Sequence, residues 1–191
     1  MKKFYLDFET ASRVDLKAVG TVRYAAHGST YAQCLGWSLN GAIGVIREAA
    51  LRIGAPLLQW LVDLANDPDV VFIAHNSFFD RHVWRQYRHL KLGYPDVPIE
   101  RWRCTMVKSL GFGLPGALSK AAKMLHLDTQ KDLDGQANML MLCRPMKAVK
   151  GTKGLPPFYT EETHPELFAK HYTYCEYDIR RSEERRVGKE C

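Results

Sequence analysis

The stretch Lys3-Phe4-Tyr5-Leu6-Asp7-Phe8-Glu9-Thr10 is dominated by aromatic and apolar side chains, which predicts a β-strand. Because side chains of a strand alternate between its two faces, Asp7 and Glu9 point to the same side. Two carboxylates on one face of an apolar strand are costly to bury unpaired, and a divalent cation offsets that cost. Oxygen ligands favour Mg²⁺ or Mn²⁺. On this pattern alone, an edge strand with two solvated acids is an equally good interpretation.

The pattern of the remaining chain predicts an α/β protein built around this first strand. Strands are predicted over 31–39 and 42–46, joined by a two-residue Asn40-Gly41 turn, over the continuous apolar run 70–74, and over 102–105. Helices are predicted from Pro56 to 65, over 78–92, 118–125 and 135–143, and from Pro165 to Asp178, with a single helical turn over 15–20 that Gly20 stops. This order predicts a mixed central sheet of about five strands flanked by helices.

Size and composition are those of an ordinary globular domain. The chain has 191 residues, of which 46% are hydrophobic and 25% charged, and its net charge of +6 is compatible with a nucleic-acid partner. The sequence contains no apolar run long enough to span a membrane and no signal-peptide pattern at its start, so we expect a cytoplasmic protein without a membrane partner. The five cysteines show no Cys-x-x-Cys spacing, which argues against a disulfide framework or a zinc site.

The last eleven residues, 181–191, break the pattern that precedes them. They have no apolar period, and they resemble the translation of a common sequencing-library adapter. We therefore predict that 181–191 is not native protein, that 1–180 forms the domain, and that the natural chain continues beyond Arg180.

Acidic side chains in three separate stretches could meet in such a fold. Asp7 and Glu9 lie on the first strand, Asp80 lies in the first turn of a helix that follows a buried strand, and Asp178 lies four residues after Tyr174 on the last helix. Four clustered carboxylates repel one another unless cations compensate them. Two divalent ions about 4 Å apart would do so, and such a site suits in-line displacement at phosphorus, with a tyrosine hydroxyl orienting the attacking water.

Taken together, Asp7-x-Glu9, Asn76-x-x-x-Asp80 and Tyr174-x-x-x-Asp178 resemble the three motifs of the DEDD superfamily of 3′–5′ exonucleases in its tyrosine variant. Thr173 stands where the histidine variant would carry its catalytic histidine. Asp15-Leu-Lys-x-Val-Gly20 followed by Tyr24, and Leu114-Pro-Gly-Ala-Leu118, resemble more narrowly the proofreading domain of bacterial and phage DNA polymerase I-type (family A) enzymes. The resemblance covers 4–180 and implies a ribonuclease H-like fold.

The resemblance also implies roles for individual residues. It makes Asp7, Glu9, Asp80 and Asp178 the ligands of two Mg²⁺ or Mn²⁺ ions, and Tyr174 the catalytic residue that orients the water. Substrate contacts are expected from Thr10 and Asn76, which match residues that touch the terminal nucleotide, and from Phe79, either as a stacking platform for a base or as ordinary core.

The expected activity is removal of 5′-mononucleotides from the 3′ end of single-stranded DNA, as the proofreading part of a larger polymerase whose polymerase domain follows in cis. Two alternatives stay open. One is a free-standing exoribonuclease of the ribonuclease D kind, and the other is a catalytically idle domain that only binds DNA or supports a polymerase. The intact set of acids argues against the idle domain, because a binding module gains nothing from repelling carboxylates beside phosphate.

Overall fold

The computed structural model describes residues 1–54, 56–89, 93–126, 133–148 and 154–187. Its strands are β1 (Lys2–Ala11), β2 (Tyr31–Leu39), β3 (Ala42–Arg47), β4 (Val70–Ala74) and β5 (Trp102–Cys104). Its helices are α1 (Leu16–Ala26), α2 (Glu48–Ile53), α3 (Gln59–Asn66), α4 (Ser77–His89), α5 (Thr105–Gly111), α6 (Leu118–Met124), α7 (Leu133–Leu142) and α8 (Pro165–Val187). Within these ranges no helix combines the length and the apolar character that crossing a membrane requires.

The five strands form one mixed sheet in the order β3-β2-β1-β4-β5. β1 lies at its centre, antiparallel to β2 and parallel to β4, and β4 is parallel to β5. Asn40 and Gly41 connect β2 and β3 with positive φ angles of 53° and 85°, as a tight two-residue hairpin turn requires. The α/β class and the five-stranded mixed sheet flanked by helices confirm the sequence prediction, and the arrangement is compatible with a ribonuclease H-like fold.

The two faces of β1 have different surroundings. Phe4, Leu6 and Phe8 point into the main hydrophobic core, which α2, α3 and α4 cover. Tyr5, by contrast, lies with residues of β4 on the opposite face, and the strand alternation puts Asp7 and Glu9 on that face as well. This is the face against which α8 packs.

Several helix boundaries differ from the sequence prediction. The helix predicted from Pro56 begins only at Gln59, and Leu57, predicted to be part of its buried stripe, is 54% exposed. Two short helices, α2 and α5, were not predicted, because segments of six and seven residues are too short to show a clear helical period. Of the helix predicted over 78–92, the last three residues lie outside the described ranges.

Gly20 was predicted to end the first helical turn, and the structure confirms this: the residue interrupts α1, and a second helical segment follows it. The residue does leave the helical conformation, with φ 76° and ψ 162°, but the chain then resumes a helix up to Ala26. Glycine is one of the few residues that adopt this backbone conformation without steric cost. Gly20 therefore ends the first helical segment of α1, and the sequence prediction missed only the second segment, which runs to Ala26.

Candidate metal centre

The central strand and the last helix together bring three carboxylates into one cluster. Asp7, Glu9 and Asp178 each place one carboxylate oxygen so that the three oxygens lie within 4.8 Å of one another. Asp178 is buried, whereas Asp7 and Glu9 are partly exposed. No local sequence pattern creates this cluster, because Asp178 is far from the other two in the chain and reaches them only through the packing of α8 on the sheet.

The close approach of α8 depends on a glycine in the neighbouring strand. Gly36 of β2 lies directly opposite Asp7 in the antiparallel register. A Cβ atom built on Gly36 would lie 2.7 Å from Cys175 Sγ and 2.8 Å from Ile179 Cγ1, both on α8. These separations are shorter than real contacts, so a larger residue at position 36 would push the helix away. Gly36 therefore permits the approach that carries Asp178 to β1.

Asp80 approaches the cluster from α4, on the other side of β1. Its side chain is 1% exposed, and its Oδ1 accepts a hydrogen bond of 3.0 Å from the backbone N–H of Phe8. β1 pairs with β4 only up to Tyr5, so this carboxylate satisfies a strand N–H that lies beyond the paired region. Asp80 lies outside the group of three carboxylates whose oxygens are within 4.8 Å, but its charge acts on both acids of β1.

Burial and mutual repulsion make the charged forms of these acids unfavourable. Burial, followed by the Glu9, Asp80 and Asp178 carboxylates, raises the pKa of Asp7 well above its usual range. Burial, with Asp178 and Asp80, raises the pKa of Glu9 to about 8. Burial also raises the pKa of Asp80 to about 7, although its backbone hydrogen bonds act in the opposite direction. Near neutral pH the cluster therefore either holds protons or needs a cation.

This donor set fits divalent metal ions. Carboxylate oxygens are the ligands that Mg²⁺ and Mn²⁺ prefer, and a bound cation would compensate the repulsion that raises the pKa values of Asp7 and Glu9. Asp7, Glu9 and Asp178 would hold such an ion, with Asp80 beside them. This is the set of acids that the sequence motifs singled out.

Tyr174 lies one turn before Asp178 on the same side of α8. It is 7% exposed, and its hydroxyl group interacts electrostatically with the Asp178 carboxylate. Burial, together with the charges of Asp178 and Glu9, raises the pKa of Tyr174, so the hydroxyl keeps its proton. The structure thus places this tyrosine at the edge of the carboxylate cluster.

The segment predicted to be foreign contributes to the cluster. Arg181, which is 2% exposed, donates from Nη1 to Asp178 Oδ1 at 2.6 Å. Further along α8, Ser38 Oγ of β2 donates to Glu183 Oε2 at 2.9 Å. The helix continues to Val187 because arginine and glutamate are good helix formers. The foreign origin of 181–191 stays a prediction.

The three expected substrate-contact residues lie around the first turn of α4 and the end of β1. Thr10 is 8% exposed, and its Oγ1 lies 3.0 Å from the hydroxyl oxygen of Tyr24. Asn76 adopts φ 71° where β4 turns into α4, and its carbonyl oxygen accepts from the Phe79 N–H at 2.8 Å. Phe79 is partly buried against the main core, and its ring centroid is 6.0 Å from that of Tyr24. Phe79 is thus packed as core on at least one side.

Sequence reasoning gave no role to Tyr24 or Gly36. Tyr24 was part of a family resemblance, but its contact with Thr10 depends on the kink at Gly20. The role of Gly36 could have been predicted, since a glycine inside a strand often marks the close approach of another element. Arg181 was set aside with the tail, and nothing in the sequence pointed to its contact with Asp178.

The fold and the site define an α/β protein with a carboxylate cluster suited to divalent cations, in which the acids come from the central strand and from helices on both faces of the sheet. The chain is similar to a DNA polymerase of Bacillus phage SP02, with 29% identity over 183 residues. The matching region covers 94% of this chain and 26% of the phage polymerase, so the chain spans about a quarter of the length of that curated relative. No protein-family model matches the sequence.

Proposed function

We propose that the chain is a metal-dependent 3′–5′ exonuclease that releases 5′-mononucleotides from single-stranded DNA and serves a DNA polymerase as its proofreading part. The observation that carries the proposal is the cluster of Asp7, Glu9 and Asp178, whose carboxylate oxygens lie within 4.8 Å of one another. The similarity to a phage DNA polymerase supports the association with a polymerase. In that case a polymerase domain in cis is the expected partner.

Each residue of the site would have a defined task. Asp7, Glu9 and Asp178, together with Asp80, would hold two Mg²⁺ or Mn²⁺ ions. Bound divalent cations would activate a water molecule and stabilise the leaving 3′ oxygen. The Tyr174 hydroxyl would hydrogen-bond the attacking water and hold it in line with the scissile phosphate.

Single-stranded ends suit a site that lies on the central strand β1 between α4 and α8. The terminal phosphate must reach buried carboxylates, which requires an unpaired and splayed nucleotide. Thr10, at the end of β1, and Asn76 and Phe79, around the first turn of α4, would contact that nucleotide.

A gel assay on 5′-labelled single-stranded DNA tests the proposal. We expect a ladder that shortens from the 3′ end with Mg²⁺ or Mn²⁺, is absent with EDTA, and is absent in Asp7→Ala. Circular dichroism of the variant shows whether the loss of activity is a loss of fold. Faster cleavage of a matched RNA oligonucleotide would favour an exoribonuclease instead. A folded wild-type protein that binds the DNA but cleaves neither oligonucleotide would be an idle binding domain, and the proposal would be wrong.

A further inference from the structure

The segment from Asp15 to Tyr24 is a sequence motif that the carboxylate cluster does not explain. Asp15 Oδ1 caps α1 by accepting from the backbone N–H groups of Lys17, at 2.8 Å, and Ala18, at 3.2 Å. At Gly20 the chain leaves the helical conformation with positive φ, and a Cβ atom there would meet nothing within 4 Å. Backbone conformation, not space, is therefore what favours glycine at this position.

The kink turns the second half of α1 so that Tyr24 points inward. Tyr24 is 5% exposed, and its own carbonyl oxygen accepts from Thr30 Oγ1 at 2.7 Å, which fixes its backbone. Its hydroxyl oxygen is 3.0 Å from Thr10 Oγ1, and its ring packs against Phe79.

Both partners of Tyr24 are chain neighbours of candidate metal ligands. Thr10 directly follows Glu9, and Phe79 directly precedes Asp80. Tyr24 thus contacts both the end of β1 and the first turn of α4. It lies next to the candidate metal ligands but is not one of them. Burial raises the pKa of Tyr24, so the phenol keeps its proton and can donate it.

We propose that Tyr24 is a positioning residue that donates its hydroxyl hydrogen to Thr10 Oγ1, so that the Thr10 hydroxyl hydrogen points at the 3′-terminal nucleotide of a bound DNA strand. The inference rests on the proposed function. A threonine hydroxyl rotates freely between partners unless a neighbour fixes it. When the Thr10 oxygen accepts the hydrogen of the Tyr24 hydroxyl, the hydrogen of the Thr10 hydroxyl must point away from Tyr24. The role of Tyr24 is therefore exerted through Thr10 and needs no contact with DNA.

Steady-state kinetics on a single-stranded oligonucleotide with Mn²⁺ test this role. We expect Tyr24→Phe to raise KM about 3- to 10-fold, the range that one lost hydrogen bond gives, while kcat changes by less than about twofold. Thr10→Val removes the same interaction, so the double variant should be no worse than Thr10→Val alone. Calorimetric Mn²⁺ affinity should be unchanged in all three variants.

Tyr87→Phe is the matched control. It also removes one hydroxyl from a buried tyrosine, one that accepts a hydrogen bond of 3.0 Å from the Ala32 N–H within the main core. We expect a loss of stability similar to that of Tyr24→Phe, measured by urea unfolding, but an unchanged KM.

Three kinetic results would overturn the positioning role while leaving the proposed function intact. They are an unchanged KM in Tyr24→Phe, an equal rise of KM in Tyr87→Phe, and additive effects in the double variant. A parallel loss of Mn²⁺ affinity would also overturn it, since Tyr24 would then act on the acids. If the wild-type protein neither hydrolyses nor binds the oligonucleotide, the proposed function fails and this inference fails with it.

Discussion

In EDTA, the stability of this protein should fall as the pH rises from 6.5 to 8. One cause is Glu9, whose pKa is raised from 4.5 to about 8 in the folded protein by burial and by the Asp178 and Asp80 carboxylates. Asp7 and Asp80, whose pKa values are raised too, act in the same direction. Between the two pKa values of Glu9 the folded state holds a proton that the unfolded state has lost. The free energy of unfolding then decreases by about 1.4 kcal/mol for each pH unit, and the decrease ends above the folded-state pKa.

His171 sets the lower limit of the pH range in which this decrease in stability can be measured. This side chain is fully buried on α8, and burial lowers its pKa from 6.5 to about 4. Its effect on stability has the opposite sign, because below pH 6.5 only the unfolded state takes up the proton. Above pH 6.5 this opposing effect fades, and only about 0.4 kcal/mol of it remains. Glu9 alone should then lower the free energy of unfolding by about 1.5 to 2 kcal/mol between pH 6.5 and 8.

Urea unfolding in EDTA at pH 6.5, 7.25 and 8 measures this change for wild-type protein and Glu9→Gln. In Glu9→Gln we expect the free energy of unfolding to decrease less between pH 6.5 and 8, by the amount assigned to Glu9. Glu166→Gln is the control, because it alters an exposed glutamate at the start of α8, and it should show the same decrease as the wild type. Saturating Mn²⁺ should flatten the wild-type curve, since a cation replaces the protons. Parallel curves for wild type and Glu9→Gln would refute the reasoning, because Glu9 would then not be titrating in this window.

Further predictions concern single side chains of the site. Asp7→Ala should abolish Mn²⁺ binding, measured by calorimetry, while circular dichroism stays native. Tyr174→Phe should slow hydrolysis but keep Mn²⁺ affinity; an unchanged rate would remove its role. Gly36→Ala should cost about 1 to 3 kcal/mol of stability and weaken Mn²⁺ binding, whereas Gly28→Ala, where a Cβ meets no atom within 4 Å, should do neither. Arg181→Ala should tighten Mn²⁺ binding, because it removes a guanidinium that competes with the ion for Asp178, and weaker binding would contradict this.

The sheet could be predicted from sequence because its signals are local. β2 and β4 have the bounds that their apolar patterns predict, and Asn40-Gly41 is a turn whose backbone angles few other pairs adopt. The topology then follows from element order, since a strand followed by a helix and a parallel strand leaves few alternatives. The acids could be named for a different reason, because their spacing in three stretches resembles the motifs of a known nuclease superfamily.

The packing of elements against each other could not be predicted in the same way. The start of α3 was placed at Pro56 on the strength of proline at the first helical turn, but the chain forms a turn there and leaves Leu57 exposed. The inward direction of Tyr24 depends on two backbone angles at Gly20, which the sequence pattern interpreted as a stop signal. The local signal at Gly20 was read correctly, but neither signal showed how the chain continues beyond it.

The position of α8 connects stability, metal binding and the tail. Asp178 reaches the acids of β1 because Gly36 offers no side chain, and Arg181, one turn further along, donates to Asp178. The same helix therefore supplies both an acid of the cluster and a cation that partly compensates it. Breaking a buried ion pair is costly, so a metal ion that takes Asp178 as a ligand must compete with the guanidinium of Arg181. We therefore expect a neutral residue at position 181 to remove one competitor for Asp178 and to strengthen binding of a divalent ion.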